Sequence, residues 1–286
     1  MAIAGSSDSI SWLQWVKTVR QNPTEVDFVK TYSNVEKIKK SEPISQFVTE
    51  LLEMIPVFLI HEYVKKNQAA VISKLIENSK NSDSNQAVLL CDFAEKFQCF
   101  QQNETQSAHY GQTPVSLFTA ALYHRGLMPI VIASDFEKHT KESVIPYLDR
   151  ILQKLPETVD TVHIGSDNAT AQFKNQFVME ALKSLEHRHS VKIMWHFYAA
   201  SHGKSIVDGI GGSVKKFVRS RILSDENLLV KNASDFVKAV STMNIDVILV
   251  KKSEIDKRNN EIGLQAILKN SKSIPDIKRS HCFEVK

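Results

Sequence analysis

Three aspartates occupy places from which carboxylates can do metal chemistry. Asp92 closes the apolar run Ala87 to Cys91, Asp167 follows the run Thr161 to Gly165 after one serine, and Asp208 lies just beyond the run Val191 to Ala199. The first two are 75 residues apart and the second pair 41. Phosphodiester chemistry with two metal ions needs several hard oxygen ligands that meet at one point and leave coordination sites for substrate. Strand ends suit that task, because they are rigid and bring distant parts of the chain together. Taken singly, each acid also reads as a turn or helix cap, and Asp167-Asn168 opening a helix fits a cap well. Asp135, placed after its own apolar run, is read as a cap, and Glu95 as a solvated or hydrogen-bonded residue.

The segment around Asp208 has a second peculiarity. Of the 9 glycines in the chain, four (Gly203, Gly209, Gly211 and Gly212) fall within ten residues of one another. The bases Lys204, Lys215, Lys216, Arg219 and Arg221 surround them, with Asp208 the one acid from 201 to 224. Three glycines inside a helix cost about 3 kcal/mol against alanine and so call for a reason. On a helical wheel Gly211 and Gly212 share the face of Asp208, with Lys204, Lys215 and Arg219 on the same side. Such a small, basic face lets a sugar-phosphate backbone approach closely, or lets the helix pack tightly on a sheet. His202-Gly203-Lys204 either positions a phosphate or the attacking water, or is a polar turn. His109 and His196 read as structural, and Met194, Trp195, Phe197 and Tyr198 as core.

Hydrophobic periodicity supplies the elements that would hold these residues. From 1 to 85 the chain reads as mostly helical: Trp12, Trp15 and Val16 have helical spacing, and Phe47, Leu51, Met54, Ile55, Phe58 and Leu59 recur at steps of three and four. Pro56 should kink that helix or divide it. From 86 to 224 short apolar runs alternate with amphipathic stretches in the order β-β-β-α-β-α-β-α, a five-stranded mixed sheet with helices on both faces. Its first three strands form an antiparallel meander. Residues 225–286 read as a small α/β appendage, with a helix near Phe236 to Val240, a strand at Ile245 to Val250 and a polar helix around Ile255 to Leu268.

Composition narrows the class. At 286 residues, 42% hydrophobic and 24% charged, the chain has the makeup of a folded globular protein. A net charge of +4 and pI near 8.8 do not by themselves declare a nucleic-acid binder. Three cysteines without CxxC spacing argue against a disulfide framework and a cysteine zinc site, and for a reducing compartment. The first ten residues lack the basic and apolar regions of a secretory signal. The longest apolar run, Leu51 to Ile60, carries Glu53 and Pro56, so no membrane span is expected.

The element order and acid positions together resemble the RNase H-like catalytic domain of retroviral integrases and DNA transposases. The stretch SDNATAQFK (Ser166 to Lys174) is similar to the integrase segment in which an Asp-Asn pair precedes a small residue and an aromatic. SHGKSIVDGIGGSVKK (Ser201 to Lys216) is similar to the integrase catalytic helix, where a glycine precedes the acid and lysines follow it. Closer still are transposon-derived proteins of animal genomes, which carry stretches similar to DFAEKF (Asp92 to Phe97), QSAHY (Gln106 to Tyr110) and WHFYAASHGKSIVDGIGG (Trp195 to Gly212). The resemblance covers residues 85 to 250. Its third acid is Asp where integrases use Glu, and no zinc-binding N-terminal module is visible.

The resemblance implies an α/β protein of RNase H-like fold and a nuclear polynucleotidyl transferase or nuclease acting on DNA, working as a homo-oligomer. Asp92, Asp167 and Asp208 would hold two Mg²⁺ or Mn²⁺, and His202, Lys204, Gly211, Gly212, Lys215 and Arg219 would contact nucleic acid. The rival expectation is a transposon-derived protein that keeps the fold and basic face but works only as a DNA-binding or scaffold factor.

Overall fold

A computed structural model describes residues 8–22, 30–105, 113–198, 206–277 and 279–284. It is a mixed α/β protein with a seven-stranded mixed sheet and seven helices, plus an N-terminal hairpin. The chain divides into two compact units, Met1–Tyr63 and Val64–Lys286.

In the first unit β1 (Ser9–Asn22) and β2 (Lys30–Pro43) form an antiparallel hairpin, and α1 (Ile44–Ser79) begins directly after it. The expectation of a mostly helical N-terminal region therefore holds for α1 and is corrected before it, where the chain forms a hairpin. Trp12, Trp15 and Val16 fit helical spacing, but β1 and β2 are rich in aromatic and β-branched residues, and exposure along β1 alternates with period two. Trp12 packs on Phe47 at the start of α1, ring centroids 4.8 Å apart. Pro56 lies inside α1 without dividing it. By length and composition this helix is also apolar enough to cross a membrane, so the expectation that no segment could do so does not stand on those grounds.

The second unit is built on β3 (Gln86–Phe97), β4 (Val115–Tyr123), β5 (Leu127–Ser134), β6 (Thr161–Ser166), β7 (Lys192–Phe197), β8 (Asp246–Leu249) and β9 (Cys282–Glu284), in the spatial order β8-β5-β4-β3-β6-β7-β9. β3, β4 and β5 form an antiparallel meander, and β6 and then β7 add in parallel on the other side of β3. Two strands were not expected in this sheet. β8 pairs in parallel with β5 and β9 antiparallel with β7, so the segment after 225 completes both sheet edges instead of forming a separate appendage.

Central strands buried on both faces read as unbroken apolar runs, and all nine residues of β4 are buried. The strand pleat sorts them: Ala87, Leu89 and Cys91 join one core, Val88 and Leu90 the other. The first core is covered by α2 (Lys141–Leu152), α3 (Gln176–His189) and α6 (Lys252–Glu261). The second is covered by α4 (Ile206–Ser224), α5 (Ala233–Val240) and Ile72 of α1. α7 (Leu264–Asn270) follows α6 after Gly263, whose φ of 66° divides what the periodicity reads as one helix.

Candidate active site

Asp92 and Asp167 meet because of strand register. The parallel ladder between β3 and β6 runs from Gln86 opposite Thr161 to Leu90 opposite Gly165, an offset of 75 residues. The same offset carried two residues further sets Asp92 level with Asp167 at the ends where both strands leave the ladder. Gly165 leaves room for the Tyr198 ring and the Leu90 side chain that pack over this end of the ladder. A Cβ there would lie 2.6 Å from the Tyr198 hydroxyl oxygen and 2.9 Å from Leu90 Cδ2.

By the strand pleat, Asp92 projects with Leu90 and Ala94 toward the face that α4 covers. α4 packs through Val207, Ile210, Gly211, Val214, Val218 and Ile222. Its Gly211 is the point of close approach: a Cβ there would sit 3.0 Å from Ala94 Cβ and 3.1 Å from Thr119 Cγ2, and Thr119 is the cross-strand partner of Asp92. Asp208 stands three residues earlier, in the first turn of the helix.

The charges of the three carboxylates are felt together. Burial, then the charge of Asp167 and lastly that of Asp208 push Asp92 up from the usual carboxylate range to about 6, against a lowering hydrogen bond from the Phe93 amide. Burial and the charges of Asp92 and Asp167 likewise raise the thiol of the neighbouring Cys91. The Phe93 N–H donates to Asp92 Oδ1 at 2.7 Å, and the Ala169 N–H donates to Asp167 Oδ1 at 3.0 Å. Asp167 thus caps the turn that follows it. The cap of α3 is Asn175, which accepts from the Val178 N–H at 3.0 Å.

The acids do not close into a finished ligand set. Among the described residues no three His, Cys, Asp or Glu side chains stand at metal-holding distance, and Asp208 is solvent-exposed. Like charges without a counter-ion separate. The donor chemistry still suits a hard divalent cation. Asp92 lies inside β3 and not at its end, Asp167 directly follows β6, and burial together with the charges of Asp167 and Asp208 raises the proton affinity of Asp92.

The expected nucleic-acid contacts separate into groups. His202 and Lys204 lie outside the described residues, as does His109, which reads as structural. Gly211 is corrected from a substrate contact to a packing position, because it is buried against the sheet where a side chain has no room. Gly212 faces open space, as does Gly209. Lys215 donates to the Glu95 backbone oxygen at 3.2 Å and lies 3.6 Å from the Glu95 carboxylate. The exposed Arg219 sets its guanidinium over the Phe100 ring, 5.4 Å from the centroid. Asp135 behaves as a cap, accepting from the Ala233 N–H at 2.7 Å where α5 begins. His196 is structural, its Nε2 being 3.2 Å from Nδ1 of His163.

Sequence reasoning missed a bridge that braces this site. Lys174, 3% exposed, donates to Asn168 Oδ1 at 3.0 Å, and Asn168 Nδ2 donates to the Tyr198 carbonyl oxygen. The loop carrying Asp167 is thereby tied to the chain leaving β7. The Lys174 ammonium also lies 5.3 Å from the centre of the Phe197 ring. A lysine set between Phe173 and Phe177 in SDNATAQFKNQF was the available signal. No curated protein matches the chain in sequence. Residues 68–286 match the model of a family described as a domain of unknown function (DUF8701), more than half of the chain, and the chain belongs to that family.

Proposed function

We propose that this protein is a metal-dependent polynucleotidyl transferase or nuclease acting on DNA phosphodiester bonds, of the transposase and integrase kind. The observation that carries the reading is the 75-residue offset of the β3–β6 ladder, equal to the separation of Asp92 and Asp167. The strand order β5-β4-β3-β6-β7, with a three-stranded meander followed by two parallel strands, supports an RNase H-like fold extended by β8 and β9. Asp92, Asp167 and Asp208 would hold Mg²⁺ or Mn²⁺, which when bound supplies an activated water or 3′-hydroxyl and a stabilised leaving oxygen. The chain's own part is to fix the acids. β3 holds Asp92 within its length and β6 runs straight into Asp167, the Phe93 and Ala169 amides orient one oxygen of each, and Gly211 brings α4 down onto the sheet beside them. Gly212 leaves open space along the helix, and Lys215 and Arg219 offer positive charge for the phosphate backbone.

The exposure of Asp208 favours a second reading, a DNA-binding or scaffold protein without catalysis. Incubating the full chain with supercoiled and linear DNA in Mg²⁺ or Mn²⁺ separates the two. The catalytic reading expects nicking that is lost in Asp92→Asn, Asp167→Asn and Asp208→Asn, each still folded by circular dichroism and with unchanged DNA retention. DNA retention without cleavage, together with no Mn²⁺ binding in titration, selects the scaffold.

A further inference from the structure

A cavity of the second unit lies one strand over from Asp167. The ladder between β6 and β7 sets Gly165 opposite His196 and Ser166 opposite Phe197, and the Tyr198 amide extends it by donating to the Ser166 carbonyl oxygen at 2.9 Å. Tyr198 therefore stands level with Asp167, about 4.8 Å away in the strand-to-strand direction. By the strand pleat, His196 and Tyr198 project opposite to Trp195 and Phe197, onto the sheet face that Ile72 and α4 cover and that Asp92 shares. Together with Gln68, Val71 and Ile72 of α1 and Cys282 of β9 they line a cavity of about 360 Å³, within the size range of small-ligand pockets.

The walls define the class of ligand. No Lys, Arg, Asp or Glu lines the cavity. Burial first, and then His163, whose Nδ1 lies 3.2 Å from His196 Nε2, hold His196 down to about 4, so that imidazole is uncharged at neutral pH. A phosphate or carboxylate finds no counter-charge there. One polar atom lacks a partner. Gln68 Nε2 donates to the Phe197 carbonyl oxygen at 2.8 Å, which fixes the amide's orientation, and Gln68 Oε1 is buried with no hydrogen-bond partner among the described residues. A buried acceptor left in that state is costly, so the cavity calls for a ligand N–H, which an acyl chain cannot supply. The Tyr198 ring and the His196 imidazole are wall groups on which a planar ligand can stack.

We propose that this cavity takes one unpaired base of the DNA strand whose phosphodiester lies at Asp92 and Asp167, with the exocyclic amine of the base donating to Gln68 Oε1. The inference rests on the phosphodiester reading of those acids. One strand spacing separates Tyr198 from Asp167, so a nucleotide held by its phosphate at the acids has its own base or its neighbour's within reach of the cavity. An uncharged planar group that carries N–H donors and is tethered to a phosphate matches both the walls and their place in the fold. Entry requires the base to leave its stack, which costs least in a single strand.

The metal-free full chain tests this apart from catalysis. Millimolar deoxyadenosine should shift the Ile72 methyl resonances in carbon-correlated NMR, and Val71→Trp, which fills the cavity from a half-exposed rim position, should remove the shift. The same variant should bind single-stranded DNA about ten-fold more weakly, as expected for one lost stacked base, with an unchanged salt slope because no phosphate contact is lost. The parent should prefer deoxyadenosine to purine deoxyriboside, which lacks the exocyclic amine, and Gln68→Met should bind the two equally. No shift with deoxyadenosine would overturn the proposal, as would a Val71→Trp variant that holds single-stranded DNA as tightly as the parent. A shift with hexanol and none with deoxyadenosine would assign the cavity to an acyl chain and overturn it too. Base uptake without Mg²⁺-dependent nicking would keep the pocket and reject the catalytic reading, and nicking without base uptake would do the reverse.

Discussion

Asp92 is the residue on which the site's electrostatics converge, and its titration is the most direct physical check of the arrangement. In metal-free protein the Asp92 carboxyl should titrate near 6 by carbon-detected NMR, and Asp167→Asn should lower that value by removing a like charge. The same shift affects stability with a definite sign. The folded state holds a proton that the unfolded chain releases near its ordinary value of 3.8, so Asp92 costs stability as the pH rises from about 4 through 6. Asp92→Asn should therefore melt higher than the parent at pH 7 and equally at pH 3.5. Equal melting at both values would mean that Asp92 is not under this load. The sequence shows two apolar runs that end in acids, but it does not show that their separation equals a ladder offset, which exists only once β3 and β6 pair. Lys174 and Asn168 were harder to see, because a buried lysine looks like a surface one until the Tyr198 carbonyl and the Phe197 ring are packed around it.

Helix α4 shows how one composition can serve two purposes. Its glycines share a cluster in the sequence, but only Gly211 is pressed against the sheet, while Gly209 and Gly212 face open space. Gly209→Ala should stabilise the chain by about 0.5 to 1 kcal/mol, the ordinary gain of alanine over glycine in a helix. Gly211→Ala has to displace Ala94 and Thr119 and should cost about 1 to 3 kcal/mol. Denaturant melts of the two variants decide this, and equal effects would remove the close-approach argument. A different element contact fixes the segment after β8. Asp149 of α2, 3% exposed, accepts from Arg258 Nε of α6 at 2.8 Å and lies 2.8 Å from His189 Nε2 of α3. Arg258→Met leaves that carboxylate buried without its main partner and should cost about 3 to 5 kcal/mol in the same melts. Arg258 stands in a stretch that reads only as a polar helix of the appendage, which is why the attachment of α6 to the core was not legible. The strand read at Ile245 to Val250 is β8, but its place beside β5, and the whole of β9, were missed for a related reason. Edge strands of four and three residues carry little pattern, and their pairing is set by β5 and β7.

At the scale of the whole molecule, a net charge of +4 is too small to bind DNA by itself, so affinity must come from where the bases stand. The sequence gives Lys215 and Arg219 equal weight on one helix face, but their surroundings differ. Lys215 already engages the Glu95 backbone oxygen and lies near its carboxylate, so contact with a phosphate trades one interaction for another. Arg219 is exposed and its guanidinium rests on the Phe100 ring, which orders the side chain while leaving its charge in solvent. Each phosphate neutralised releases counter-ions and adds about 0.9 to the slope of log affinity against log salt. Arg219→Ala should then reduce that slope by about one and weaken binding equally across DNA sequences, because phosphate contacts position without reading bases. Lys215→Ala should reduce it by less. Glu95→Gln, which removes the competing carboxylate but keeps the backbone oxygen, should steepen the slope and raise affinity at low salt. Fluorescence anisotropy with labelled duplexes between 50 and about 200 mM salt measures all three. If the slopes of Arg219→Ala and Glu95→Gln both equal that of the parent, this face of α4 does not meet the DNA backbone, and the bases that do must be sought elsewhere on the chain.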